Sequence, residues 1–253
     1  MIPLAIQPDF LAAVHPPAGP AESADAADRL GPLGFVAPGS RLGVVAVEGV
    51  LTREPHPGTI GCAEIIESLA AAADDDRVDA VLLHLHSPGG EVWGCEEAVR
   101  AVAELHETKP VTALAADMAC SAAYWLACAA GEVVITPAGC VGSIGVANVI
   151  YDESEWYRQL GLRVIAVTSG TLKHGFPGEP IGDELVEHQM EQVDELFARF
   201  AADVAARRRL PARRIADDQA RVFTGRLAVA AGLADRTAHA SAVYAELMEG
   251  MQR

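Results

Sequence analysis

Two residues of this chain, Ser121 and Lys173, have side chains that could form a nucleophile and its base. Ser121 lies in a run of small residues that begins at Met118 and ends at Tyr124. Lys173 is one of only two lysines, against seventeen arginines, and lies in the glycine-containing stretch 169–178. Arginine stays protonated in proteins, whereas a desolvated lysine can lose its proton near neutral pH. A serine with a neutral lysine is a complete nucleophile and base for acyl transfer.

Two glycine-containing turns could complete such a site. Ser87 and Pro88 are followed by Gly89 and Gly90, directly after an apolar run that is typical of a strand. Glycines between a strand and a helix leave backbone N–H groups free to approach a substrate oxygen, and such donors provide much of the transition-state stabilisation in acyl transfer. The second turn spans residues 139–146, and its Ser143 could hydrogen-bond a lysine amine. Each turn alone is typical of an ordinary loop.

Charge and composition exclude several function classes. The net charge of −16 argues against a nucleic-acid groove, which needs a clustered positive face. The five cysteines form an odd number without metal-ligand spacing, so we expect free thiols in a reducing compartment and no metal or other cofactor. The N-terminus has no pattern of a signal peptide, and charges, Pro or Gly interrupt every apolar run. We therefore expect a cytoplasmic protein without a membrane span.

Strand-like and helix-like segments alternate along the chain, which predicts an α/β protein with mostly parallel strands. The predicted strands are residues 42–51, 80–86, 111–116, 133–136 and 163–168. The predicted helices are residues 60–73, 95–105, 122–130, 153–160 and a long amphipathic helix over 183–208. His84 and His86 are expected to be half-buried, hydrogen-bonded strand residues, and Lys109 an ordinary surface residue.

The chain divides into three parts by composition. Residues 1–40 are rich in Ala, Pro and Gly and are expected to form an N-terminal arm, with a docking helix near residues 10–14. Residues 41–236 are expected to form the core. Residues 237–253 are expected to form a C-terminal helical tail. The long helix over 183–208 is equally compatible with a core-covering role and with packing between subunits.

In their order, these motifs resemble the serine peptidases of the signal peptide peptidase A type, which are relatives of ClpP and of the crotonase fold. The resemblance runs from about residue 42 to residue 235 and includes the late segments 222–226 and 231–235. It implies a ClpP/crotonase-like core, with Ser121 as nucleophile and Lys173 as general base. It also implies oxyanion donors at the N–H groups of Gly90 and Ala122, with Ser143 assisting the lysine and Gly89 as a further supporting residue. Such enzymes form homo-oligomers whose sites are completed at subunit contacts.

Within that family, the chain is most similar to bacteriophage capsid-assembly (head maturation) proteases. The similar stretches are residues 116–122, with a cysteine just before the serine, and residues 173–180. The resemblance implies scaffold or portal proteins as substrates, inside the procapsid or the host cytoplasm. No scaffold domain follows the core in this sequence, which leaves open a separate scaffold protein or a signal-peptide-peptidase-like protease of a bacterial host.

Other interpretations compete with this one. Cys120 is the better intrinsic nucleophile, but adjacent residues cannot both face the substrate, and we favour Ser121. His174 could replace Lys173 as the base, although neighbouring side chains of an extended segment point to opposite sides. A crotonase-like acyl-CoA enzyme would share the fold without needing the serine–lysine pair. A catalytically inactive assembly factor would use the core only to oligomerise.

Overall fold

The computed structural model describes residues 4–6, 28–170, 172–173 and 175–250. Within that part of the chain the helices are α1 Cys62–Asp74, α2 Cys95–Thr108, α3 Ala122–Ala127, α4 Ser154–Gln159, α5 Asp183–Arg208, α6 Ala212–Asp217, α7 Gly225–Ala230 and α8 Ala240–Gly250. The strands are β1 Leu4–Ile6, β2 Arg29–Leu30, β3 Gly34–Val36, β4 Leu42–Glu48, β5 Val50–Thr52, β6 Thr59–Gly61, β7 Ala80–Ser87, β8 Gly89–Glu91, β9 Val111–Cys120, β10 Glu132–Ile135, β11 Cys140–Gly142, β12 Val222–Thr224 and β13 Arg236–Thr237.

The central sheet has the strand order β12-β11-β9-β7-β4-β3-β2, and β4, β7, β9 and β11 run parallel. Strands β4 and β7 read as nearly continuous apolar runs because both faces of the sheet are covered. Helices α1 and α2 cover one face, and α8 covers the other, where Val243 is buried and the Tyr244 hydroxyl lies 3.1 Å from Nδ1 of His84. The predicted α/β class with mostly parallel pairing is confirmed.

A second, four-stranded sheet has the order β1-β8-β5-β6. The predicted strand over residues 42–51 is in fact two strands in two sheets. Gly49 separates them with φ 120°, a left-handed conformation that redirects the chain, and its N–H donates to the carbonyl of His86. The predicted turn at Gly89 and Gly90 is in fact the start of strand β8, where the chain passes from β7 of the central sheet into this second sheet. We keep the name Gly89–Gly90 turn for this change of sheet.

Strand β9 is longer than the predicted 111–116 and contains an irregularity. Its pairing with β7 jumps from Leu85–Ala115 to His86–Met118, so that Ala116 and Asp117 are extra residues on β9. The first half of β9 pairs with β10, and the last three residues pair with β11. Such a bulge redirects a strand end, and here it redirects the end that leads into Ser121.

The sheet reaches upstream of the predicted boundary at residue 41. Strands β2 and β3 pair with each other, β3 also pairs with β4, and both Leu30 and Val36 are buried. The last part of the predicted arm therefore belongs to the core. The predicted docking helix near residues 10–14 lies outside the described residues.

Two further expectations differ from the structure. Residues 163–168 form no strand, and most of their side chains are exposed. Lys109 is half-buried rather than an ordinary surface residue, because its Nζ donates to the carbonyls of Ala72 and Asp75 at 2.8 Å each, at the end of α1. By contrast, α5 has the predicted bounds, although its buried residues are mostly in its second half, where Phe200 stacks on Trp125. No helix of the described residues is long and apolar enough to cross a membrane.

Candidate active site

Ser121 occupies a strained turn between β9 and α3. Its backbone has φ 54° and ψ −124°, a conformation that side-chain-bearing residues rarely adopt. The surroundings hold it there: its N–H donates to the carbonyl of Gly142 at 2.7 Å, and its carbonyl accepts from Tyr124 and Trp125. Backbone strain that is maintained by several hydrogen bonds is concentrated at functional sites.

The Ser121 hydroxyl is buried and has no hydrogen-bond partner among the described residues. The whole residue is only 1% exposed. A buried hydroxyl that lacks a partner costs about 1–3 kcal/mol, so proteins rarely retain one without a functional reason. A strained serine with an unpaired hydroxyl at a strand-to-helix turn has the arrangement of a nucleophile.

The Gly89–Gly90 turn leaves the central sheet beside Ser121. Ser87 at the end of β7 pairs with Ala119 of β9, so the two neighbouring strands end at the same edge. Gly89 has φ 99°, and a Cβ on Gly90 would lie 1.8 Å from the carbonyl oxygen of Leu51. Strand β8 also packs against α3. Only glycine therefore allows the backbone at position 90 to run this close to β5.

Ala122 is the first residue of α3 and is buried. The first N–H groups of any helix have no acceptor within the helix. Ala122 directly follows Ser121 and begins α3, the helix against which β8 packs. The structure brings Ser121, Ala122 and the Gly89–Gly90 turn together.

Ser143 lies beside Ser121 at the end of the adjacent strand. Gly142 of β11 pairs with Cys120 of β9. Ser143 and Ser121 directly follow these two paired residues, so they lie side by side where the neighbouring parallel strands end. Ser143 also has positive φ, 53°, and its N–H donates to the carbonyl of Arg221 at 3.0 Å. Arg221 is a residue that the sequence did not single out, because its contribution is a backbone carbonyl.

Lys173 is not brought to Ser121 within the chain. Its side chain is exposed, and its backbone N–H donates to the carbonyl of Gly170. Thr171 and the alternative base His174 lie outside the described residues. Lys173 belongs to a largely exposed segment, residues 149–176, which we name the apolar segment. Its exposed large apolar residues are Val149, Tyr151, Trp156, Leu160, Leu162, Ile165, Val167, Leu172 and Phe176.

Two pairs of residues close to the site were not predicted as contacts. Sγ of Cys120 lies 3.9 Å from Sγ of Cys140, and Nδ1 of His86 lies 3.3 Å from Oδ2 of Asp117. The hydrogen bond to Cys140 and burial raise the pKa of the Cys120 thiol far above its usual value. A thiol held protonated is a poor nucleophile, which favours Ser121 over Cys120.

Comparison with known proteins finds a matching family and several similar proteins. Residues 103–252, more than half of the chain, match the family described as Peptidase family S49. Capsid assembly protease C of Escherichia phage lambda is 35% identical over 77% of this chain and 46% of its own length. Protease 4 of Salmonella typhi is 29% identical over 78% of this chain and 32% of its own length. The chain thus spans less than half the length of these relatives.

The fold has a solved counterpart. A mutant ClpP1 from Listeria monocytogenes superposes with a TM-score of 0.50 at 14% identity, over 77% of this chain and 90% of that one. This likeness confirms the predicted ClpP-like core, and at that identity it concerns the fold alone. The family itself is shown by the match of residues 103–252 to the family model: the chain belongs to peptidase family S49.

Proposed function

We propose that this chain is a serine endopeptidase in which Ser121 is the nucleophile and Lys173 the general base. The observation that carries the proposal is the Ser121 turn, where a strained and buried backbone holds an unpaired hydroxyl beside a glycine turn. Membership of a peptidase family supports it. Ser121 Oγ attacks the scissile carbonyl while the neutral amine of Lys173 accepts its proton. The lysine then returns that proton to the leaving amine.

The tetrahedral oxyanion is held by backbone N–H groups of Gly90 and Ala122. Both residues are buried near Ser121, where a low dielectric strengthens each donor. Donors of this kind contribute about 3 kcal/mol each to the stabilisation of the transition state. Gly89 shapes the turn that presents Gly90, and Ser143 orients the lysine amine when it reaches the site.

Lys173 reaches Ser121 when several copies of the chain assemble. Lys173 is exposed in the single chain, yet a lysine base must be desolvated to lose its proton near neutral pH. The apolar segment around it exposes nine large apolar side chains, among them Val167 at 94% exposure. A patch of that kind is typical of a surface covered by a partner. Homo-oligomerisation would bury this segment and place Lys173 in an apolar surrounding beside Ser121.

The substrates we propose are capsid proteins of a phage head, such as scaffold or portal proteins. The 35% identity to a capsid assembly protease supports this choice over a host protease. The chain should be mixed with the proteins encoded beside it, and the products identified by mass spectrometry, with Ser121→Ala as control. Defined fragments with wild type and none with Ser121→Ala support the proposal. Fragments from both proteins, or from neither, contradict it.

A further inference from the structure

Two cysteines close to Ser121, Cys120 and Cys140, form a pair that peptide hydrolysis does not use. Their sulfur atoms are 3.9 Å apart, and Cys120 directly precedes Ser121. In the parallel pairing of β9 with β11, Cys140 lies opposite Met118 and Cys120 lies opposite Gly142. Alternate residues of a strand share a face, so both thiols project from the same face of the sheet.

The pair differs chemically from the other three cysteines. Burial raises the pKa of Cys62 and Cys128 to about 12 and that of Cys95 well above its usual value, so these thiols are inert. Cys140 is half-buried, and the hydrogen bond from Cys120 lowers the pKa of its thiol, against the weaker opposing effects of burial and Asp117. An accessible thiol of lowered pKa beside a second, buried thiol is the usual arrangement of a redox-sensitive pair.

We propose that Cys120 and Cys140 form a reversible disulfide when the protein meets a peroxide, and that this bond inactivates the Ser121 site. The second half of this proposal rests on the proposed peptidase function. The Cys140 thiolate attacks hydrogen peroxide and breaks its O–O bond, giving a sulfenic acid and one water after proton transfer. The Cys120 sulfur then attacks the sulfenic sulfur and forms the S–S bond, while the Cys120 proton passes to the departing hydroxyl group, which leaves as a second water. Two thiols lose two electrons, and one peroxide becomes two waters.

The location of the pair explains why the bond would affect Ser121. A disulfide requires a sulfur separation of about 2.05 Å, so the two sulfurs must approach each other by about 2 Å. Because Cys120 is paired with Gly142 rather than with Cys140, this approach moves β9 and β11 relative to each other. The same two strands are joined by the Ser121 N–H bond to the Gly142 carbonyl. Their displacement shifts the nucleophile from its turn.

The disulfide is tested by mapping it, independently of activity. Full-length protein is treated with hydrogen peroxide, its free thiols are alkylated, and it is digested after glutamate. Cleavage at Glu107, Glu132 and Glu153 places Cys140 in one peptide and Cys120, with Cys128, in another. We expect the two peptides to be cross-linked in wild type and in Cys128→Ser, to separate with dithiothreitol, and to stay separate in Cys140→Ser. Absence of the cross-link in wild type overturns the proposal.

The effect on the site is tested by cleavage of labelled casein before and after peroxide. We expect wild type to lose activity at least tenfold and to regain it with dithiothreitol, while Cys140→Ser stays active throughout. A mapped cross-link without loss of activity overturns the inactivation. If reduced wild type cleaves neither casein nor the capsid proteins, the peptidase proposal fails and the inactivation falls with it. The disulfide itself is still decided by the mapping.

Discussion

The N–H of Ser121 donates a 2.7 Å hydrogen bond to the carbonyl of Gly142, which joins the end of β9 to the end of β11. Gly142 itself has φ 114°, and a Cβ there would lie 2.5 Å from the carbonyl oxygen of Arg221. The turn that carries Ser121 is therefore held by a neighbouring strand that accepts only glycine at this position. The position of Ser121 depends on three segments that are far apart in the sequence.

Replacing Ser121 by alanine should abolish peptide cleavage while leaving the fold at least as stable. The hydroxyl is buried and bonds no residue in the described part of the chain, so its removal should raise the free energy of unfolding by about 1 kcal/mol. Ser68→Ala is the matched control, because Ser68 Oγ is buried but bonds the Leu33 N–H and the Glu64 carbonyl. That variant should lose about 1–3 kcal/mol. Urea denaturation measures the free energy of unfolding of both variants. If Ser121→Ala is less stable than wild type, the hydroxyl is not unpaired.

Gly90→Ala should destabilise the protein and remove activity, because its Cβ would meet the Leu51 carbonyl oxygen at 1.8 Å. We expect a loss of about 3 kcal/mol in the free energy of unfolding, since backbone cannot yield as a side chain does. Gly182→Ala provides the control, since no atom of the described residues lies within 4 Å of a Cβ there. Thermal unfolding and casein cleavage compare the two variants. If Gly90→Ala and Gly182→Ala are equally stable, β8 does not approach β5 this closely.

Lys173→Arg should reduce cleavage by at least a thousandfold although it keeps the positive charge. Arginine remains protonated and cannot accept the serine proton. The other lysine supplies the comparison: Lys109→Arg changes a residue that bonds two backbone carbonyls at the end of α1, and it should remain active. If Lys173→Arg cleaves its substrate about as fast as wild type does, Lys173 is not the general base.

A charge within the apolar segment should weaken self-association. Val167 is 94% exposed, and we expect Val167→Glu to shift sedimentation from an oligomer toward the monomer and to lower activity. Leu227→Glu is the matched change, because Leu227 is 64% exposed but lies outside the segment. A wild-type protein that sediments as an active monomer would contradict the assembly of the site from several copies.

Acid should weaken the fold partly through Asp75. Hydrogen bonds from Arg77 lower the pKa of Asp75 from 3.8 to about 2. Its stabilising contribution is therefore complete above pH 3.8 and is lost as the pH falls toward 2. Since the Arg77 side chain is half-exposed and solvent screens the pair, we expect no more than about 0.5 kcal/mol. Denaturation between pH 5 and pH 2 should show a smaller acid loss for Asp75→Asn than for Asp76→Asn, and equal losses would contradict the effect.

Much of the fold follows from local patterns in the sequence. The apolar runs predicted the parallel strands, and α5 has the predicted bounds because its apolar spacing and its glycine start are local features. The prediction of a strand over residues 163–168 was wrong, and the reason is physical. Its β-branched residues favour a strand, but no partner strand of the described residues lies beside them in the single chain. The extension of β9 to Cys120 was missed because its bulge depends on pairing with β7 and β11.

The sequence by itself determined which residue types are present for chemistry: a serine among small residues, a rare lysine and two glycine turns. Only the tertiary structure decided how they are arranged, because strand pairing brings residues together regardless of their separation along the chain. Pairing placed Ser143 beside Ser121, set Cys140 against Cys120 and gave Arg221 a role through its backbone carbonyl. Lys173 stays exposed in the single chain, because the described residues do not form an apolar surface that covers its amine.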